Sequence, residues 1–187
     1  LAAIILGGPM NVSDQDHLPH LKAELEFIRG LLAAEIPILG VCLGAQMLAA
    51  AMGAQVGPGP HPEIGYMDVT LTPVGAEDTL LSGFPMALPV FQWHAQGFDL
   101  PPRAELLATS EAFPNQAFRS GKAWGFQFHL EVTPAMVRQW AQDSQAELSR
   151  AGVSETRLAE QSNAQAQMVS LYGRRVIRRF WDSLAEI

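Results

Sequence analysis

Ile36-Pro37-Ile38-Leu39-Gly40-Val41-Cys42-Leu43-Gly44-Ala45-Gln46 carries an apolar run straight into a helical pattern. Its first six residues form a short apolar run with the composition of a buried strand, and Leu43 to Met52 reads as a helix closed by Gly53. Between them stands the single cysteine of the chain, with Gly40 and Gly44 two residues away on either side. A residue presented on a sharp strand-to-helix turn needs small neighbours, and this G-x-C-x-G spacing supplies them, as in the serine elbow of hydrolases. Cys42 is therefore expected at a helix N-terminus, where free backbone N–H groups and the helix dipole favour thiolate over thiol. The bland alternative is a free cysteine packed as a small hydrophobe, and the paired glycines weigh against it.

Working outward, Ala2-Ala3-Ile4-Ile5-Leu6 is a core-type strand, and Leu21, Leu25, Ile28 and Leu32 recur at helical intervals after Pro19. Strand, helix, strand and helix thus alternate from Leu1 to Gly53. This pattern predicts an α/β fold, a doubly wound and mostly parallel sheet with helices on both faces and Cys42 at the carboxyl end of a strand. From Ile64 to Phe128 short strands separated by Gly and Pro follow, including Tyr66 to Leu71, Pro89 to Gln92, Glu105 to Thr109 and Gln116 to Arg119. They suit antiparallel additions that carry the chain back over Cys42. After Pro134 the sequence is helical, with Met136, Val137 and Trp140 on one face, and a second helical region runs from about Ser154 to Leu184. There Met168, Leu171, Val176, Ile177, Phe180 and Trp181 alternate with Arg174, Arg175, Arg178 and Arg179, a pattern expected to cap the sheet with its arginines in water rather than to dock on a membrane.

The second chemical signal is Trp124-Gly125-Phe126-Gln127-Phe128-His129-Leu130-Glu131, read as an aromatic strand running into a His-x-Glu pair. Residues two apart on a strand share a face, so Glu131 can hold one ring nitrogen of His129 while the other faces outward. A lone histidine at a strand end is ordinarily a satisfied polar residue. Beside a poised cysteine the set instead supports acyl transfer, with Cys42 as nucleophile, His129 as base and then acid, and Glu131 as orienter.

On these residues the chain resembles the class I glutamine amidotransferases, and within them the stand-alone members similar to the amidotransferase domain of GMP synthase. The likeness is carried by Gly7-Gly8-Pro9-Met10, by Gly40-Val41-Cys42-Leu43-Gly44-Ala45-Gln46 and by Gln127-Phe128-His129-Leu130-Glu131-Val132, in matching order and spacing. Weaker echoes are Glu63-Ile64-Gly65, Trp93-His94 and Asn115-Gln116-Ala117-Phe118. The resemblance implies a flavodoxin-like fold and hydrolysis of the glutamine side-chain amide through a glutamyl thioester on Cys42, releasing ammonia. It also implies an oxyanion hole from the backbone N–H groups of Gly8 and Leu43, a type of donor worth about 3 to 4 kcal/mol. Gln46, with backbone groups around Ala95 and Gln96, would bind the amino-acid end of L-glutamine. The ammonia acceptor would be a separate synthase subunit or none; the chain has no phosphate-cradling G-x-x-x-x-G-K loop of its own.

Against the family pattern, Leu130 replaces the usual proline between the histidine and the acid, and Ala95-Gln96 replaces Gly-Asp after Trp-His. The family also carries a further βαβ stretch before the first strand, so the chain, opening on Leu1, is expected to lack an N-terminal portion. Two other classes stay open: a hydrolase of γ-glutamyl peptides or conjugates with the same triad, and a catalytically silent binding module.

Composition agrees with one domain over residues 1–187, an α/β core to about residue 150 and a helical extension over 151–187: at 48% hydrophobic the chain can bury a sizeable core. A formal net charge of −7 disfavours nucleic acid and anionic membrane as partners and leaves small molecules or proteins. One cysteine permits no internal disulfide, and no apolar run reaches a membrane span of roughly 20 residues, which together read as cytoplasmic. No cofactor is called for. His61-Pro62-Glu63 with His94 could be imagined around a metal, but the spacing matches no zinc framework, so no metal is expected.

Overall fold

A computed structural model describes residues 1–184. Seven strands form one mixed sheet in the order β1-β2-β7-β6-β5-β3-β4. These are β1 (Ala3–Ile5), β2 (Ile38–Val41), β3 (Val56–Leu71), β4 (Ala87–Phe98), β5 (Glu105–Thr109), β6 (Ala117–Ser120) and β7 (Ala123–Phe126). The helices are α1 (Pro19–Ala33), α2 (Leu43–Ala51), α3 (Pro73–Glu77), α4 (Pro134–Asp143), α5 (Gln145–Ala151) and α6 (Glu155–Ser183).

Helices cover both faces because the strands alternate. In β2, Ile38 packs with Leu21, Leu25 and Ile28 of α1 and Met47 and Leu48 of α2. Its neighbours Leu39 and Val41 turn to the other face, joining Trp124 and Phe126 of β7 and Val137, Val169 and Phe180 from α4 and α6. The parallel part is smaller than the sequence suggests. Among the described residues only β1–β2 and β2–β7 are parallel, and the other four pairings are antiparallel. The reason is the long hairpin of β3 and β4. Residues 56–63, rich in Gly and Pro and given no element by the sequence pattern, belong to β3 and pair with β4 across an irregularity between Pro58 and Glu63. Proline is tolerated there because this half of β3 is paired on one side: β5 meets β3 only at Thr70 and Leu71.

Local sequence explains the helix ends. Pro19 starts α1, Thr133 caps α4 by accepting from the Met136 N–H, and Ser154 caps α6 by accepting from the Arg157 N–H. In the last turns of α1 Leu31 is buried and Leu32 is half-buried against the same cluster. The buried stripe of α6 is Leu158, Ser162, Ala166, Val169, Gly173, Val176 and Phe180. Met168, Leu171, Ile177 and Trp181, read from sequence as part of an apolar face, are exposed. The arginines divide: Arg175 and Arg179 stack over Phe84 at 4.8 and 5.6 Å and donate to carbonyl oxygens of residues 80–83. Gln161 donates to the Tyr66 carbonyl and accepts from its N–H, so α6 is pinned to β3 by a side chain imitating a strand neighbour. Among the described residues no helix is long and apolar enough to cross a membrane.

Candidate active site

The turn after β2 holds Cys42 at φ 54°, ψ −112°, a left-handed conformation that non-glycine residues adopt only under constraint. Its N–H donates to the Phe126 carbonyl at 2.8 Å, continuing the β2–β7 ladder one residue past the strand. The next residue opens α2, so the thiol stands at that helix's N-cap. Both flanking glycines are required by contacts. A Cβ on Gly40 would lie 2.6 Å from the Gly44 carbonyl oxygen, and one on Gly44 would lie 2.1 Å from the Ile5 carbonyl oxygen of β1. The absent side chains let the first turn of α2 sit directly on β1 and β2. The Gly7 turn after β1 enters the same space: a Cβ there would be 3.3 Å from Cys42 Cβ and 3.2 Å from His129 Cε1.

His129 and Glu131 do not lie on a continuous strand. β7 ends at Phe126, and His129 is held instead by reciprocal backbone hydrogen bonds with Phe91 of β4, at 2.7 and 3.1 Å. Past the strand end, the chain turns so that Glu131 Oε1 lies 2.5 Å from His129 Nδ1. The ring is buried, with Trp140 edge-on at 5.3 Å and Phe91 at 6.3 Å. Burial alone would push the imidazolium down, but hydrogen bonds to Cys42 and Glu131 and the negative charge on both raise its pKa to about 10. The same pairing, with the backbone N–H groups of Leu130 and Glu131, holds the Glu131 carboxyl below the usual carboxylate range against its desolvation. At neutral pH the ring is therefore a cation between a sulfur and a carboxylate. A thiol facing a protonated histidine at a helix N-terminus is the setting in which a nucleophilic thiolate forms.

Gln46, one turn along α2, is buried, and its amide donates to the Gln96 carbonyl at 3.0 Å and to Gln127 Oε1 at 3.1 Å. Gln127 in turn points its amide at Cys42 Sγ, 3.9 Å away, and the Trp93 carbonyl lies at the same distance from that sulfur. Gly8 is exposed and abuts the Leu43 side chain, its ideal Cβ 3.3 Å from Leu43 Cδ2. Ala95 is exposed. His94 Nε2 and Glu63 Oε2 meet at 3.2 Å, both side chains buried, whereas His61 is exposed. Among the described residues no three His, Cys, Asp or Glu side chains gather in a way that could hold a metal ion.

With this arrangement in view, comparison with known proteins decides the family. The sequence pattern of the family described as glutamine amidotransferase class-I matches residues 2–140. The chain belongs to the class I glutamine amidotransferases. It is 35% identical over 152 residues to the glutamine amidotransferase-like protein YfeJ of Salmonella typhimurium, covering 79% of this chain and 64% of that protein. It is 37% identical over 130 residues to one of the subunits of the glutamine-hydrolyzing GMP synthase of Ignicoccus hospitalis, covering 67% of this chain and 64% of that one. The chain thus spans a little under two thirds of each of these relatives. Among solved structures, a glutamine amidotransferase from Thermotoga maritima superposes with a TM-score of 0.87 at 36% identity, covering 95% of this chain and 77% of that one.

Two features of this amidotransferase site escaped the sequence. Leu130, in the place of the usual family proline, donates its N–H to Glu131 Oε2 at 3.0 Å, a bond proline cannot make. The substitution therefore adds a restraint on the acid. Gly173 of α6 packs against the Leu130 carbonyl, where a Cβ would come within 2.2 Å, so α6 backs the His129–Glu131 turn from behind. Nothing in local sequence links residue 173 to residue 130. An apolar groove of about 550 Å³ borders Glu131 between β1, β2, β7 and α6, but Cys42 and Gln46 are not in its lining.

Proposed function

We propose that this chain hydrolyses the side-chain amide of L-glutamine, with Cys42 as nucleophile, His129 as proton donor and Glu131 as its orienter. The observation that carries the reading is the strained Cys42 at the N-cap of α2, paired with a buried imidazolium that Glu131 holds at 2.5 Å. With the proton already on His129, Cys42 attacks the amide carbon as thiolate. The C–N bond then breaks as His129 gives its proton to the departing nitrogen, releasing ammonia and leaving a γ-glutamyl thioester. Water, deprotonated by the now neutral His129, attacks the thioester; glutamate leaves and the sulfur is regenerated. The N–H groups of Gly8 and Leu43 fit the oxyanion, since a glycine turn and the first amide of a helix both offer donors free of backbone partners. Gln46, with the backbone of Ala95 and Gln96, would receive the amino-acid end of the substrate.

Ammonia would pass to a separate synthase subunit. The likeness to one subunit of a GMP synthase supports a synthase carried on a second chain, without naming the product. The direct test is release of glutamate and ammonia from L-glutamine, beside a panel of γ-glutamyl dipeptides, by the wild type and Cys42→Ser. Cys42-dependent release of equal amounts of ammonia and glutamate supports the proposal. Turnover confined to the dipeptides would replace glutamine by γ-glutamyl conjugates as the substrate.

A further inference from the structure

Three weak sequence echoes, Glu63-Ile64-Gly65, Trp93-His94 and Asn115-Gln116, converge on one buried network that reaches the Gln96 carbonyl. Glu63, His94, Gln92 and Gln116 are each at most 6% exposed. Gln116 Nε2 donates to Glu63 Oε2 at 2.7 Å, and Ser110 donates to Glu63 Oε1 at 2.9 Å. Because a carboxylate only accepts, Glu63 fixes the Gln116 amide with its nitrogen inward, and Gln116 Oε1 accepts from Gln92 Nε2 at 2.9 Å. That turns Gln92 Oε1 towards His94 Nε2, 3.1 Å away, with Glu63 Oε2 at 3.2 Å from the same nitrogen. On the far side of the ring, His94 Nδ1 lies 2.9 Å from the Gln96 carbonyl. Both ring nitrogens thus face acceptors, Gln92 and Glu63 at Nε2 and the Gln96 carbonyl at Nδ1, which fixes the ring between the carboxylate and that carbonyl. Hydrogen bonds from His94, Ser110 and Gln116 and the charge of His94 hold the Glu63 carboxyl below the usual range, against its desolvation.

The Gln96 carbonyl joins this network to Gln46, because it also accepts from Gln46 Nε2 at 3.0 Å. From Gln46 the chain of contacts continues through Gln127 to the sulfur of Cys42. We infer that Glu63 and His94 are positioning residues, a buried acid–imidazole pair that fixes the Gln96 carbonyl and thereby aims the Gln46 amide into the substrate pocket. The inference rests on the glutamine-hydrolysis reading above. The pair touches neither Cys42 nor His129, so its loss should weaken substrate binding and leave the nucleophile's own reactivity intact.

The experiment is a cycle of Glu63→Gln, Gln46→Ala and the double variant, with kcat and KM for L-glutamine and the rate of Cys42 alkylation by iodoacetamide. Since Cys42 is the only cysteine, alkylation reports that sulfur alone. Glu63→Gln should raise KM about tenfold, with kcat within about threefold of wild type and alkylation unchanged, the scale set by one lost buried charge-assisted hydrogen bond. If Glu63 acts through Gln46, the double variant should have nearly the KM of Gln46→Ala alone. Wild-type KM in Glu63→Gln, or KM effects that multiply in the double variant, would overturn the inference. Should Glu63→Gln fail to fold, Ser110→Ala decides: it removes one donor to Glu63 and should raise KM about threefold, and an unchanged KM overturns the inference. Glutamate release absent from the wild type would overturn the hydrolysis reading itself, and the inference with it.

Discussion

Gly44→Ala tests whether the close seat of α2 on β1 is what presents Cys42. In the middle of an ordinary helix this change is favourable by about 1 kcal/mol. Here the new methyl would lie 2.1 Å from the Ile5 carbonyl oxygen and 2.6 Å from its carbon, both backbone atoms of a paired strand that cannot swing aside. Reaching ordinary contact requires α2 and β1 to part by about 1 Å, and forced overpacking of this kind costs about 1 to 3 kcal/mol, more where backbone must move. The propensity gain is then outweighed, and a net loss of about 2 kcal/mol is expected, or roughly 4 to 8 °C in Tm for a chain of this size. A displacement of about 1 Å at the nucleophile also predicts a fall in kcat/KM of about a hundredfold. Gly30→Ala is the control. It lies within α1 with nothing inside 4 Å of the added methyl, so it should stabilise by about 0.5 to 1 kcal/mol with activity unchanged. Urea unfolding followed by circular dichroism, with glutamate release in parallel, reads both variants. A Gly44→Ala protein as stable and as active as wild type would show that the close seat of α2 on β1 is not what presents Cys42.

Three further predictions concern the His129–Glu131 turn. Glu131→Gln removes a charge that sustains the imidazolium, so the basic limb of kcat should move to lower pH, while Cys42 alkylation at neutral pH slows; a basic limb left in place would count against Glu131 as orienter. The same shift bears on stability: a histidine raised from its ordinary 6.5 to about 10 stabilises the fold below pH 6.5, and that contribution is lost as pH rises through 10, so wild-type Tm should fall over this window more than that of Glu131→Gln. Leu130→Pro removes the N–H donated to Glu131 and should lower kcat about threefold to tenfold with KM little changed; equal kcat would show that this hydrogen bond does not steady the acid.

The elbow was legible because its signal is local. Gly40, Cys42 and Gly44 encode a steric requirement within five residues, and the contacts around them bear it out. Helices α1 and α6 were legible within a residue or two because Pro19 and Ser154 mark their starts. What stayed hidden depends on tertiary partners. The first half of β3 is a strand only because β4 lies beside it. The buried stripe of α6 includes Ser162, Ala166 and Gly173, small residues chosen for close approach, so counting apolar side chains pointed to Trp181 and Ile177, which are exposed. His129 meets Glu131 as expected, but through a backbone bridge to Phe91 and not through strand geometry. The Glu63–His94 pair joins positions 31 residues apart, a distance at which sequence carries no contact information; considered as metal ligands, they prove to be partners of each other.

Cleavage of glutamine through Cys42 requires a covalent glutamyl enzyme, which acid-quenched intact-mass spectrometry during turnover of L-glutamine would capture. The expected result is a mass increase of one glutamyl group, located on the peptide that carries Cys42 and absent from Cys42→Ala. Undiminished glutamate release by Cys42→Ala, or turnover with the glutamyl group on any other residue, would contradict it.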